Sequence, residues 1–154
     1  MPPAGQTWRQ GTYPGEGDKK EIGMKTAEIA NIVAAARAQA VQMEKAVTIV
    51  VVNSGGVIVA LERVGDPGTF TSLVAEGKAV GSAIMGRDSS ELAGMVERAP
   101  SLVNAMTTRL GGRFVALAGG VVLNQGGEIV GAVGVSGASA AEDEEIARAG
   151  AATL

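Results

Sequence analysis

The chain is 154 residues long, enough for one ordinary domain, and its 46% apolar and 19% charged composition supplies a core and argues against disorder over most of its length. A formal charge of −3 offers no field for a nucleic-acid backbone, and no apolar stretch approaches the ~20 residues that span a bilayer. There is no Cys and no His, which excludes Cys/His zinc sites, imidazole-dependent catalysis, thiol redox chemistry and haem ligation by imidazole or thiolate.

Residues 1–22, MPPAGQTWRQGTYPGEGDKKEI, carry three of the five prolines and four glycines with no sustained period, and read as an irregular arm ahead of a domain over 23–154. The arm holds Trp8 and Tyr13, half of the four aromatic side chains, which are either anchors onto this subunit or a neighbour, the favoured reading, or incidental. From Thr26, a candidate N-cap, the stripe Ile29, Ile32, Val33, Ala36, Ala40, Met43 predicts a helix ending near Glu44 or Lys45. VTIVVVN at 47–53 is too apolar for a half-exposed strand and predicts a central one. Asn53 to Gly56 supply a turn into a second strand over 57–63, a hairpin closed by the loop Gly65 to Gly68.

Residues 71–86 place Val74, Lys78, Gly81 and Met85 on one side of a helix, with Gly77 and Gly81 permitting close packing. Asp88 and Glu91 stand in capping-box spacing for another helix, and Pro100 breaks the chain before a short helix over 101–110. FVALA at 114–118, VVLN at 121–124 and EIVGAVGV at 128–135 read as two or three strands, the last two a hairpin. Ser139 and Glu142 form a capping box for a C-terminal helix whose acidic start complements the macrodipole. Short links between adjacent strands predict an α+β fold, a mostly antiparallel sheet with helices packed over it. A disulfide-free chain with no signal-peptide pattern reads as cytoplasmic.

The run GGVVLNQGGEIVGAVGVSGASAAEDEEIARAG, Gly119 to Gly150, together with VVVNSGGVIVALERVGD and EGKAVGSAI, resembles the GlcG/HbpS family, which includes the C-terminal domain of PduO. The resemblance covers residues 24–154. It implies a profilin-like or PAS-like domain with a five-stranded antiparallel sheet, assembly into homo-oligomers, and a small-ligand pocket. Some members of that family bind haem or another tetrapyrrole, and others accompany catabolic enzymes. Asn53 stands where the family usually has Asp, and Val122 where Pro is common, both at turns that would border the pocket.

Several residues are candidates for the site. Lys78, flanked by small residues, suits a partly desolvated ammonium that binds a carboxylate or acts as an amine catalyst, or else a snorkelling surface lysine. Arg63, at the end of the second strand, suits an anion clamp or a surface pair with Glu62 or Asp66. Gly119 and Gly120, next to Val121, offer backbone N–H groups unshielded by a Cβ, or else serve tight-turn geometry alone; Ser136 and Gly137 extend the same bend, and Asn53 borders it. Glu142 and Asp143 offer carboxylates for acid/base work or serve only the helix start. The leading expectation is a carrier or sensor for a small anionic organic ligand, haem among the candidates, with no metal site built by the chain. An enzyme using Lys78, Arg63 and Asp143 on a small unsaturated or amino/keto carboxylate, and a ligand-free oligomeric structural protein, are the alternatives.

Overall fold

A computed structural model describes residues 23–154; the arm with Trp8 and Tyr13 lies outside the described residues. The elements are α1 (Thr26–Gln42), β1 (Val47–Asn53), β2 (Ile58–Val64), α2 (Thr71–Met85), α3 (Ser89–Ala93), α4 (Met95–Arg98), α5 (Pro100–Arg109), β3 (Gly120–Gln125), β4 (Glu128–Ser136) and α6 (Ala140–Ala151). The strands form one antiparallel sheet in the order β2-β1-β4-β3. β1 is central because each of its faces is buried: Ile49 and Val51 point to one layer, Thr48, Val50 and Val52 to the other. α1 and α6 cover the first face with Ile32, Val33, Ala36, Ile146 and Ala147. α2 covers the second with Ala75, Ala79, Val80 and Ala83.

α2 lies close on the sheet because the strand beneath it lacks side chains. A Cβ at Gly134 of β4 would collide with the backbone of Ala75 and Ala79. The same logic explains Gly120, where a Cβ would stand 2.5 Å from the Lys78 carbonyl.

The sheet has four strands, not the five expected. The missing one is FVALA. Val115 N–H donates to the Gly77 carbonyl of α2, Phe114 packs on Gly81, and a Cβ at Gly77 would meet the Val115 side chain at 2.5 Å. The segment buries its apolar groups on the far side of a helix, where there is no ladder to join. Hydrophobicity and branching report burial, and here the burying surface is α2.

Two helix caps differ from expectation, although α3 begins with Asp88 at its N-cap as read. α1 is capped by Lys25, whose N–H is satisfied by the Glu28 carboxylate at 2.7 Å, so Thr26 is the first helical residue. Asp88 precedes α3 but turns away from it: its carboxylate accepts from Val122 N–H at 3.0 Å and pairs with Arg148 at 2.9 Å, tying α3 to β3 and α6. The capping box of Ser139 and Glu142 at α6 is present as read, with Glu142 N–H to Ser139 Oγ at 3.3 Å and Ser139 N–H to Glu142 Oε2 at 3.0 Å.

Candidate functional site

The expected site residues fall into an interior cluster and three separate outliers. Lys78 projects from α2 toward the start of α6. Its ammonium donates to Asp143 Oδ2 and to the Val135 carbonyl, each at 2.9 Å, and both charged side chains are only 3% exposed. The other carboxylate oxygen of Asp143 accepts from Ala138 N–H at 2.9 Å. Burial pushes the Asp143 carboxyl above its ordinary value; Lys78 and the Ala138 amide pull the other way and lose.

The glycines of the bend make room for this pair. Gly119 has φ +121°, and a Cβ there would lie 2.8 Å from Lys78 Nζ and 2.9 Å from Asp143 Cβ. Gly120 does not present a free amide: its N–H is taken by Ser89 Oγ at 2.6 Å. Val121 is buried in the core under α1 and α6, and Gly137 turns the chain against Ala46. Ser136 is 5% exposed and opposite Thr48.

The outliers are Asn53, Arg63 and Glu142. Asn53 spends its side-chain oxygen on the hairpin, accepting from Gly55 and Val57 N–H at 3.0 Å each. Arg63 donates to the Pro67 carbonyl at 2.5 Å on the outermost strand. It pairs with Thr48 on one side of β1 while Ser136 pairs with Thr48 on the other. Two strand spacings, about 10 Å, therefore separate Arg63 from Ser136 and the bend beyond it. Thr48 and Thr71, both buried and bonded Oγ1 to Oγ1 at 2.8 Å, occupy that interval. Glu142 is held by Ser139 N–H first, then by Lys45 at 2.9 Å and the Ser139 hydroxyl, which lower its pKa to about 2.

As it stands, the cluster joins α2, β4 and α6 through a closed ion pair. Chemistry at the Lys78 amine requires that pair to open first, because two of its bonds go to Asp143 and Val135.

The surface offers a different cavity that the sequence did not single out. A groove of about 390 Å³ runs between α1 and β2. Its walls are Ile29, Ala30 and Val33 on the helix and Ala60 and Leu61 on the strand. From Thr26 to Arg37 the helical wall spans 12 residues, about 16 Å at the α-helical rise. Arg37 closes the far end, its Nη1 bonded to both oxygens of Glu62 at 2.7 and 2.9 Å. Its Nε and Nη2 make no hydrogen bond with any described residue, so among the described residues the fork has two donor nitrogens without a partner beside apolar walls. The signal was present but faint: the α1 stripe includes Ile29, which is only half-buried, and small Ala60 leaves a dent in β2.

A family model described as haem degrading protein HbpS-like matches residues 24–152. The chain belongs to this HbpS-like family. HbpS of Streptomyces reticuli, solved as a double mutant, is 28% identical to this HbpS-like chain, with a TM-score of 0.80 and 99% of each chain covered. A second HbpS structure is 29% identical, with a TM-score of 0.78 over 94% of this chain and 98% of that one. PduOC in complex with heme is 25% identical, with a TM-score of 0.77 over 86% of this chain and 96% of that one. No curated protein matches the chain. The α+β fold and its antiparallel sheet are thus common to the HbpS-like chain and these structures.

Proposed function

We propose that this HbpS-like chain binds a flat, anionic organic ligand of the tetrapyrrole class, haem foremost, in the groove between α1 and β2. The reading rests on one observation: an apolar trough ending in a guanidinium with two donor nitrogens that have no partner among the described residues. Its volume of about 390 Å³ lies within the usual ~300–1,000 Å³ of small-molecule sites. The family and the heme complex of PduOC support the ligand class.

The donor set decides how such a ligand is held. Without His or Cys the chain has no imidazole or thiolate for haem iron. It does have what the rest of the molecule needs. Ile29, Val33 and Ala60 suit the apolar face of the ring, and Arg37 suits a carboxylate, forming a charge-assisted bond in the bidentate geometry guanidinium favours. Glu62 acts as the resident carboxylate that an incoming one displaces or joins. Assembly as a homo-oligomer is part of the same reading.

Titration with haem and with iron-free protoporphyrin tests this directly. Because the handle is the ring and its carboxylates, the two are expected to bind with affinities within about threefold of each other. Arg37→Ala should weaken both about tenfold, ~1.4 kcal/mol, within the range for a hydrogen bond to a charged group. Binding of haem a hundredfold tighter than the iron-free ring, or indifference to Arg37→Ala, would overturn the reading.

A further inference from the structure

Arg37 and Glu62 meet across two elements. In the β1–β2 ladder Glu62 stands opposite Ile49 and Ala60 opposite Val51, and Ile49 and Val51 belong to the core under α1, so Glu62 and Ala60 face that helix. Arg37 lies one turn beyond buried Val33 on the same side of α1. The pair is not a fork. Both carboxylate oxygens of Glu62 accept from one nitrogen, Nη1, at 2.7 and 2.9 Å. A guanidinium in fork geometry would instead offer each oxygen an N–H from a different nitrogen. Here the Nε–Nη2 edge, whose spacing suits a second carboxylate, meets no partner among the described residues. With side chains 48% and 31% exposed, the pair adds little to stability.

On the reading of the groove given above, we infer that Glu62 is its positioning residue: it holds Arg37 through Nη1, and the ligand's carboxylate docks beside it on the Nε–Nη2 edge instead of displacing it. Displacement exchanges one carboxylate for another, breaking two hydrogen bonds to form two, and gains little. Docking on the second edge forms two charge-assisted bonds and breaks none. Its cost is repulsion between two carboxylates, which lie on either side of the guanidinium's positive charge and are screened at this exposure. Glu62 is also the better fixed of the two, since its backbone is held in the ladder opposite Ile49 whereas Arg37 is a long side chain on a helix surface. A fixed carboxylate orders that side chain before the ligand arrives, so binding is relieved of that cost. The group such an edge recognises is a planar carboxylate that accepts through both oxygens.

A double-mutant cycle on the full-length chain, titrated with iron-free protoporphyrin and read by porphyrin fluorescence, tests the role of Glu62. Glu62→Ala should raise the dissociation constant about fivefold, the scale of ordering one long side chain on binding. In an Arg37→Ala background the same substitution should change it by less than about 1.5-fold, because a residue that acts through Arg37 has nothing left to position. Thermal unfolding of Glu62→Ala should match wild type closely, as suits a partly exposed pair. Tighter binding by Glu62→Ala would show that Glu62 competes with the ligand. An equal loss in both backgrounds, or a clearly lowered unfolding midpoint, would show that it acts on packing. Each of these results overturns the positioning role. Failure of the groove looks different: porphyrin binding indifferent to Arg37→Ala removes the groove and Glu62 together, whereas a loss at Arg37→Ala with none at Glu62→Ala keeps the groove and removes only the role of Glu62.

Discussion

Removing the Lys78 ammonium isolates what the buried pair contributes. Lys78→Met keeps an unbranched side chain of similar length and leaves Asp143 with Ala138 N–H as its one remaining partner. A buried carboxylate in that position has two options, to stay ionised without compensation or to take up a proton. Protonation sets the ceiling. From the ordinary value of 3.8, it costs about 1.36 × 3.2, or ~4.4 kcal/mol, at pH 7 and about 1.6 kcal/mol at pH 5. The expected loss is therefore about 3–4 kcal/mol at pH 7, in line with the ~3–5 kcal/mol typical of breaking a buried pair, and no more than about 1.6 kcal/mol at pH 5. The sign follows from proton uptake: burial raises the folded-state pKa, so the native form binds more protons than the unfolded form above pH 3.8, and stability falls as pH rises through that window. Urea unfolding of wild type and variant at both pH values measures the difference. The double variant Lys78→Met/Asp143→Asn removes the charge and keeps the acceptor for Ala138, so it should be more stable than Lys78→Met at pH 7 and insensitive to pH. A loss below about 1 kcal/mol at pH 7, or one equal at both pH values, would refute the account of an uncompensated carboxylate.

Three further outcomes follow from Gly120 in the bend, from Gly94 between α3 and α4, and from α6. Gly120→Ala sets a Cβ 2.5 Å from the Lys78 carbonyl and 2.6 Å from Ser82 Oγ, against helix backbone that cannot yield, and should cost about 1–3 kcal/mol. Gly94→Ala, at helical φ with its nearest neighbour at 3.4 Å, should be neutral or stabilising by roughly 0.5–1 kcal/mol; thermal midpoints of the two variants distinguish them. Glu142 titrates in the opposite sense to Asp143. Its pKa is lowered from 4.5 to about 2, so its contribution is present above pH 4.5 and lost as pH falls toward 2. Glu142→Gln should flatten that part of the stability profile, read as the slope of the urea midpoint against pH.

The strands of the first hairpin were legible, and the extended segment that packs on a helix was not. VTIVVVN announces a two-sided strand because both faces need branched apolar groups, and β1 is central. The hairpin into β2 is equally readable, since Asn53 satisfies two turn amides itself. FVALA shows the same kind of local pattern, but its partners are Gly77 and Gly81, some 35 residues away and on a helix. No local period distinguishes an apolar run that joins a ladder from one that lies across a helix. At Asp88 the start of α3 was legible but the cap bond was not: its spacing to Glu91 suits a helix cap, while a strand amide and Arg148, brought in by tertiary structure, take the same carboxylate.

The site shows the same divide in terms of charge. The sequence offers Lys78 between helix glycines as either a desolvated ammonium or a surface lysine; the structure buries it, and spacing could not tell which anion it meets. Asp143 is 65 residues away, and only the antiparallel return of β4 into α6 brings its carboxylate to 2.9 Å. Two residues selected separately as chemical candidates thereby neutralise each other in the interior. Arg37 attracted no notice because an arginine on a helix flank is ordinary until a strand is laid beside it. What distinguishes it is where its donors end up: beside Ala60, the smallest side chain on that face of β2, where the sheet falls short of the helix and leaves apolar walls with a guanidinium at one end. That property belongs to two elements jointly, so it becomes visible only when the pairing of β1 with β2 and the packing of α1 across them are both known.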